Sequence, residues 1–382
     1  MEPILSAAQA AATQGLAQLT PGHVVMLLVG GLLLYLGIGR GLEPLLLVPI
    51  GVGCLLVNIP GSTLMDDGGV MRFVYNAGVR SELFPVLIFL GIGALTDFGP
   101  LFSNPRILLL GAAGQFGIFL TLILALLFGF DVREAVSIGV IGAMDGPTAI
   151  FVTSTYAPHL LGAVSVAAYS YMSLVPLVQP PVMRLLTTTK EKTTLMRTAS
   201  PTHVSRRARI AFPIMVIVVG GLLAPGGMPL LGTLMLGNLL RESGVVERLR
   251  QASENEIANV VTLLLGVSIG ATMQASVFLR PETLIVFGLG FVAIVLDTVV
   301  GLLFGKLFYV LSGGTINPLI GAAGISAYPM AARVVQQFGQ RYNRKNYLLM
   351  HAMGANTGGQ LGSIMAAAVM LSVLAALGIR GV

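Results

Sequence analysis

Hydrophobic residues along this chain form long continuous runs instead of the alternating or striped patterns of a soluble domain. The run from Ile107 to Phe128 contains no charged residue at all. The runs cover residues 23–39, 43–59, 83–96, 107–130, 135–156, 160–186, 210–224, 228–240, 257–279, 283–311, 315–335 and 347–379. Since a helix needs about 20 apolar residues to cross a bilayer, the pattern predicts an all-α polytopic membrane protein.

The composition agrees with lipid as the main solvent. Only 10% of the 382 residues are charged, against about 25% in soluble domains, and the mean hydropathy is +0.88. These values exclude fibrous, disordered and nucleic-acid-binding proteins. The net charge of +6 is better explained by basic loops on the cytoplasmic side of a membrane.

Residues that bind metals or carry redox chemistry are few and scattered. Cys54 is the only cysteine, and the four histidines stand at positions 23, 159, 203 and 351. They offer no ligand set for zinc or an iron–sulfur cluster and no disulfide framework, so redox chemistry is not expected. Residues 1–20 carry Glu2 as their only charge and lack the basic start of a cleaved signal. They are predicted to form an N-terminal interfacial segment.

A basic linker divides the chain into two halves. Residues 187–209 form the one hydrophilic stretch of any size, and six of them are lysine or arginine. The positive-inside rule places this linker in the cytoplasm. It separates membrane repeat 1, residues 21–186, from membrane repeat 2, residues 210–382.

Short motifs recur in the same order on both sides of the linker. Several matches in one order indicate an internal duplication. The pairs begin at Val29 and Val219 (Val-Gly-Gly-Leu-Leu), Pro44 and Pro229 (Pro-Leu-Leu, followed by Gly53 and Gly237), Ile92 and Ile269 (Ile-Gly-Ala), Leu126 and Leu302 (Leu-Leu-Phe-Gly), and Ile141 and Ile320 (Ile-Gly-Ala).

Each half also contains an apolar segment that glycine and proline interrupt. These are Ile141-Gly-Ala-Met-Asp-Gly-Pro-Thr and Ile316-Asn-Pro-Leu-Ile-Gly-Ala-Ala-Gly. Broken segments at matching positions are typical of transporter binding sites, although two kinked helices packed through small residues would look the same. If residues 315–335 enter the membrane and return, Arg341, Arg344 and Lys345 stay cytoplasmic. The sequence thus predicts two inverted repeats with about ten to eleven transmembrane helices and two broken or re-entrant segments.

Asp145 is the first candidate functional residue. It is the only charged residue between Glu134 and Arg184, and it precedes Gly146 and Pro147, where the helix must open. A carboxylate at membrane depth costs at least about 2.5 kcal/mol, so it normally faces a cavity and binds a cation or a proton. The alternative is an aspartate that only caps the helix restarting after Pro147.

Uncharged polar residues accompany the break in the second half. Asn317 and Ser326 flank it, and Asn356 lies in a final span that also carries Thr357, Gln360 and Ser363. Amide, hydroxyl and backbone oxygens are hard ligands, and with one carboxylate they would form a sodium site. Hydrogen bonding between helices of a dry bundle is the competing interpretation.

Three further residues are candidates, and the first two have two interpretations each. Tyr171 would relay a proton or belong to an interfacial belt, and Arg333 would bind an anionic substrate group or extend to the lipid headgroups. Asp297 lies within a long apolar run, where it is expected to pair with Lys306.

These residues stand in longer motifs that resemble one known family, the beta subunits of the sodium-translocating, biotin-dependent decarboxylases. Those enzymes act on oxaloacetate, methylmalonyl-CoA or glutaconyl-CoA. The motifs are Gly142-Ala-Met-Asp-Gly-Pro-Thr-Ala-Ile-Phe, Asn317-Pro-Leu-Ile-Gly-Ala-Ala-Gly-Ile-Ser-Ala-Tyr-Pro-Met-Ala-Ala-Arg, His351-Ala-Met-Gly-Ala-Asn-Thr-Gly-Gly-Gln-Leu-Gly-Ser and Tyr171-Met-Ser-Leu-Val-Pro-Leu-Val-Gln-Pro-Pro.

The resemblance implies a primary sodium pump in the inner membrane of a prokaryote. Carboxybiotin on a biotinylated carboxyltransferase (alpha) subunit would be decarboxylated here, sodium exported and an external proton consumed. Small gamma- or delta-type membrane subunits and further copies of the chain would complete the complex. Matched residue by residue, the resemblance implies sodium ligands at Asp145, Asn317, Ser326 and Asn356, catalytic roles for Asp145, Tyr171 and Arg333, carboxybiotin binding by Arg333, and a further functional position at Gly321.

Two other classes of protein share part of this pattern. A secondary sodium-coupled transporter, either a sodium/proton antiporter or a sodium/carboxylate symporter, would also have inverted repeats, broken helices and an intramembrane aspartate. A structural membrane anchor would not need Asp145 in a broken helix. The acid or acyl-CoA that the parent enzyme decarboxylates is not encoded in this chain, because that specificity belongs to another subunit.

Overall fold

The computed structural model describes residues 15, 17–103, 105–196 and 204–381. Most of the expected N-terminal interfacial segment and residues 197–203 of the linker lie outside these ranges. The described part of the chain is helical and contains no β-strand. The prediction of an all-α protein is confirmed.

Residues 17–186 of the first half contain ten α-helices in the ranges that the structure describes. They are α1 (Pro21–Leu34), α2 (Pro44–Val57), α3 (Val70–Val74), α4 (Leu83–Leu95), α5 (Gly99–Ser103), α6 (Leu108–Ala113), α7 (Phe116–Leu127), α8 (Val132–Gly139), α9 (Gly146–Tyr156) and α10 (Leu161–Leu186). Tyr35–Gly39 and Tyr75–Arg80 are π-helical, and Pro105–Ile107, Val140–Ala143 and Pro158–Leu160 form 3₁₀ turns.

The linker contributes one short helix, and the second half follows a similar order. These helices are α11 (Thr189–Lys192), α12 (Arg206–Leu223), α13 (Met228–Ser243), α14 (Glu247–Ala252), α15 (Ala258–Thr272), α16 (Ala275–Phe278), α17 (Pro281–Leu311), α18 (Met330–Tyr342) and α19 (Leu349–Ala376). Ser253–Ile257 is π-helical, and Pro225–Gly227 and Pro318–Ala323 are 3₁₀ turns.

Six helical segments within the described ranges are long and apolar enough to cross a membrane. A seventh is added when Val70–Arg80 and Leu83–Leu95, which meet at a 57° bend, count as one span. The chain is therefore a multi-pass membrane protein. The expected ten to eleven crossings would require shorter helices, such as the 14-residue α2, to cross as well.

The two halves pack through reciprocal helix pairs. Helix α2 lies on α15, and α4 lies on α13. Both crossings depend on glycine. A Cβ on Gly270 would lie 2.1 Å from the Ile50 carbonyl oxygen, and a Cβ on Gly93 would lie 1.9 Å from the Leu234 carbonyl oxygen. The facing residues are Gly53 and Gly237. Backbones touch at both places, as small residues permit in membranes.

The repeated sequence motifs also pair each of these glycines with one in the other half. Gly53 corresponds to Gly237, and Gly93 corresponds to Gly270. The crossing of α2 and α15 joins Gly53 to Gly270, and the crossing of α4 and α13 joins Gly93 to Gly237. Residues that the repeated motifs pair thus make equivalent contacts.

Candidate functional site

The first-half break opens the helix directly at Asp145. Helix α8 ends at Gly139, the 3₁₀ turn follows, and Met144 adopts a left-handed conformation with φ of 52°. Asp145 then takes the N-cap position of α9, with Pro147 in the first turn. The left-handed turn at Met144 ends the 3₁₀ turn, and Pro147 fits the first turn of the next helix because no intrahelical bond needs its missing amide hydrogen there.

The Asp145 carboxylate is buried but not neutralised by a charge. Only 4% of the residue is exposed, and no cationic side chain in the described ranges lies within 4.0 Å of the carboxylate. Its Oδ2 accepts hydrogen bonds from the Thr148 hydroxyl at 2.7 Å and the Ser363 hydroxyl at 3.4 Å. These neutral donors orient the carboxylate and leave its negative charge for a cation or a proton.

A cavity of about 360 Å³ lies beside Asp145 and is bounded by both broken segments. The first half contributes the break itself, the end of α4 and residues of α2 and α10, and the second half contributes the residues after the 3₁₀ turn and one residue each of α15 and α19. Its polar lining consists of Thr96, Asp145, Tyr169, Thr262, Ser326, Tyr328 and Gln360. A carboxylate surrounded by neutral oxygen atoms is the donor set of a small hard cation.

Ser326 lies at the second break and lines this cavity, and Asn356 of α19 forms a hydrogen bond with the same break. The Ser326 hydroxyl donates to the Gly359 carbonyl at 2.9 Å. The Asn356 amide donates to the Ile325 carbonyl at 2.5 Å, and its Oδ1 has no hydrogen-bond partner in the described ranges. Asn356 therefore ties the break to α19 and keeps one buried oxygen unused.

Asn317 and Gly321 lie at the other end of the second break. The Asn317 amide donates to the Thr194 carbonyl of the linker at 2.8 Å, while its Oδ1 accepts from the Leu319 amide at 3.0 Å. A Cβ on Gly321 would lie 2.0 Å from the Gly301 carbonyl oxygen. Neither residue contacts Asp145: one holds the linker and the other permits a close helix crossing.

The two tyrosines of α10 point in different directions. The Tyr171 hydroxyl donates to the Phe287 carbonyl, and its ring packs on Gly290 of α17. Tyr169 is 2% exposed and lines the cavity with Asp145. Residues two positions apart in an α-helix point in directions that differ by about 200°, so only one of the two tyrosines can face Asp145.

The charged candidates outside the cavity are separate from one another. Arg333 is exposed on α18 and makes no ion pair within the described part of the chain. The expected pair of Asp297 and Lys306 is wrong. Asp297 accepts a hydrogen bond from the Gly117 amide at 2.6 Å, and Lys306 lies 3.5 Å from the linker residue Glu191. The basic end of Lys306 extends toward the polar linker because burial beside Asp297 would remove its solvation.

Both ends of each broken segment meet on one side. In the first half, the His159 imidazole lies 2.9 Å from the Glu134 carboxylate. In the second half, Asn317 bonds to the Thr194 carbonyl, and Asn346 donates to the Lys192 carbonyl at 3.1 Å. The two ends of each broken segment thus lie close to one another.

Comparisons with known proteins show the family of this chain. The sequence model of the family described as the Na⁺-transporting oxaloacetate decarboxylase beta subunit matches residues 22–374. The chain belongs to this family.

Similar proteins cover nearly the whole chain. The methylmalonyl-CoA decarboxylase subunit beta of Veillonella parvula is 52% identical over 94% of this chain and 95% of its own. The glutaconyl-CoA decarboxylase subunit beta of Acidaminococcus fermentans is 51% identical over the same shares. The oxaloacetate decarboxylase beta chain of Klebsiella pneumoniae is 44% identical over 95% of this chain and 98% of its own. Membership in the family makes the chain a membrane subunit of a Na⁺-transporting decarboxylase and disfavours a secondary transporter.

The structure also adds residues to the candidate site of this family member. Thr148 and Thr96 have no distinguishing signal in the sequence beyond the position of Thr148 three residues after Asp145. Ser363 and Gln360 belong to the polar group of the final span, but their proximity to Asp145 depends on how α19 packs against the first half.

Proposed function

We propose that this chain decarboxylates carboxybiotin presented by a partner subunit and couples this reaction to sodium export and the uptake of an external proton. The observation that carries the proposal is Asp145, a buried carboxylate without a countercharge beside a cavity bounded by both broken segments. Because sodium and a proton compete for the same carboxylate, binding of one favours release of the other. The names of the similar decarboxylase subunits support the reaction class.

Sodium is the cargo, and Asp145 is its proposed charged ligand. Ser326 supplies a hydroxyl from the cavity wall, and the unused Oδ1 of Asn356 is a further candidate ligand once the break shifts. Asn317 acts indirectly in this proposal. Both of its amide atoms are engaged with backbone groups, and its hydrogen bond to the linker fixes one end of the break.

We also propose that the halves are inverted repeats, each with a re-entrant segment. The reciprocal glycine crossings support the duplication, and the meeting ends of each broken segment support a path that enters and returns. Arg206 bonds to the Ser243 carbonyl at the linker side, and Arg241 donates to the Leu95 carbonyl at 2.9 Å. The α4 end of the cavity is therefore near the linker, which supports access to Asp145 from the cytoplasm.

The proposed partners follow from the same reaction. A biotinylated carboxyltransferase (alpha) subunit would bring carboxybiotin to the cytoplasmic face, where exposed Arg333 would pair with its carboxylate. A small gamma- or delta-type membrane subunit and further copies of this chain would complete the assembly in the inner membrane of a prokaryote. Tyr171 contributes by holding α10 against α17.

Sodium transport by the assembled complex tests the proposal. Inverted vesicles carrying Asp145→Asn are expected to lose both sodium uptake and decarboxylation, since the amide carries no charge for the cation. Asp67→Asn is the matched control, because its side chain is 96% exposed and pairs only with Arg72 at the surface. Normal pumping by Asp145→Asn would refute the assignment.

A further inference from the structure

The Tyr169 side chain is a polar group without a partner. Its hydroxyl is buried and has no hydrogen-bond partner among the described residues. A buried hydroxyl that leaves water without a new hydrogen bond costs about 1–3 kcal/mol. Such groups call for a specific explanation, and in a binding site a missing ligand is one.

The ring stands directly over the break at Asp145. A Cβ on Gly146 would lie 2.1 Å from the Tyr169 ring carbon Cζ and 2.5 Å from its hydroxyl oxygen. The hydroxyl end of the ring therefore covers the residue next to Asp145. Gly146 is required there because any side chain would displace the phenol.

Tyr169 and Asp145 also line the same cavity. The other residues around the carboxylate show why a phenol hydroxyl would be a useful ligand for a cation there. Thr148 and Ser363 both donate hydrogen bonds to Oδ2 of the Asp145 carboxylate. Tyr169 belongs to α10, a different element. A cation beside Asp145 needs oxygen atoms from several directions, and none of the described residues forms a hydrogen bond with this hydroxyl.

We propose that the Tyr169 hydroxyl is an oxygen ligand of the sodium ion bound at Asp145. The inference rests on the proposed function. It names a ligand outside the motif positions that the sequence resemblance transfers. Tyr171 is the natural comparison, since its hydroxyl already donates to the Phe287 carbonyl.

The first experiment compares Tyr169→Phe with Tyr171→Phe in the assembled complex. Each variant loses one hydroxyl and keeps its ring. Sodium dependence of decarboxylation and sodium uptake are measured in inverted vesicles. Tyr169→Phe is expected to raise the half-saturating sodium concentration about tenfold, with a maximal rate within about threefold of the parent. Tyr171→Phe is expected to leave the half-saturating concentration within about twofold.

The second experiment keeps the ring and its hydroxyl in place. 3-Fluorotyrosine is introduced at position 169, and its ¹⁹F resonance is followed during titration of the purified complex with sodium chloride, with potassium chloride as the control. A shift that saturates with sodium alone is expected. An unchanged resonance, or an unchanged sodium dependence in Tyr169→Phe, would overturn the role of Tyr169.

Asp145→Asn separates this inference from the proposed function. If Asp145→Asn pumps normally, the sodium site itself is wrongly placed. If Asp145→Asn is inactive while Tyr169→Phe has the sodium dependence of the parent, the site stands and only the phenol ligand is wrong. A fluorine shift that is abolished by Asp145→Asn would support both.

Discussion

The crossing of α2 and α15 is expected to tolerate no side chain larger than hydrogen. We consider Gly270→Ala, whose Cβ would lie 2.1 Å from the Ile50 carbonyl oxygen and 2.8 Å from the Cys54 amide nitrogen. Ordinary contacts of a Cβ begin near 3.4 Å. The two helices would therefore have to separate by about 1 Å along a rigid backbone contact, since neither obstructing atom belongs to a flexible side chain.

The expected cost follows from this separation. Overpacking of a well-packed interior costs about 1–3 kcal/mol, and here the displaced atoms also lose van der Waals contacts along the crossing. We expect the purified protein to unfold at a temperature several degrees lower than the parent, because about 1 kcal/mol lowers the midpoint by about 2–4 °C in a chain of moderate size.

Thermal unfolding in detergent, followed by loss of helical circular dichroism, measures this effect. Gly31→Ala is the matched control, since a Cβ on Gly31 of α1 has no atom within 4 Å. It is expected to leave the midpoint unchanged or raise it slightly, because alanine favours a helix more than glycine does. Equal midpoints for Gly270→Ala and Gly31→Ala would refute the close crossing.

Three further outcomes follow from hydrogen bonds near and away from the cavity. Thr148→Val is expected to shift the half-saturating sodium concentration more than Ser363→Ala, because the bond to Asp145 is 2.7 Å long from Thr148 and 3.4 Å from Ser363; the reverse order would contradict the geometry. Asp297→Asn is expected to retain most of the thermal stability, since its amide oxygen still accepts from the start of α7, whereas Asp297→Leu loses about 1–3 kcal/mol; equal unfolding midpoints would refute this role. Lys306→Met is expected to increase proteolysis of the linker by removing the contact with Glu191, and an unchanged digestion rate would show that the contact contributes little.

The orientation of the cavity has a mechanistic consequence within the proposed function. The cavity reaches the end of α4, where Arg241 of α13 donates a hydrogen bond to the Leu95 carbonyl oxygen. The ends of the first break are joined by the contact between the Glu134 carboxylate and the His159 imidazole. Under the proposed function, we infer that this arrangement loads sodium from the cytoplasm and that export requires a second arrangement in which the two breaks move.

Local sequence determined the character of each segment. The apolar runs require lipid, the Gly-Pro interruptions prevent continuous helices, and an aspartate beside such an interruption is costly unless a cation or proton binds it. For these reasons the helical membrane class and the two breaks followed from residues close together in the chain, and the functional role of Asp145 is a prediction from the same residues. The motif resemblance predicted the family, which the comparisons confirm.

Tertiary structure decided which distant oxygens accompany Asp145. Ser363 lies 218 positions away in the chain, and its hydroxyl reaches the carboxylate only because α19 packs beside the first-half break. Helix rotation sets Tyr169 toward the cavity and Tyr171 toward α17, and docking of the linker engages Asn317 far from Asp145. Composition and spacing describe one segment at a time, whereas a binding site depends on the relative rotation and position of segments, which the packing of the whole bundle determines.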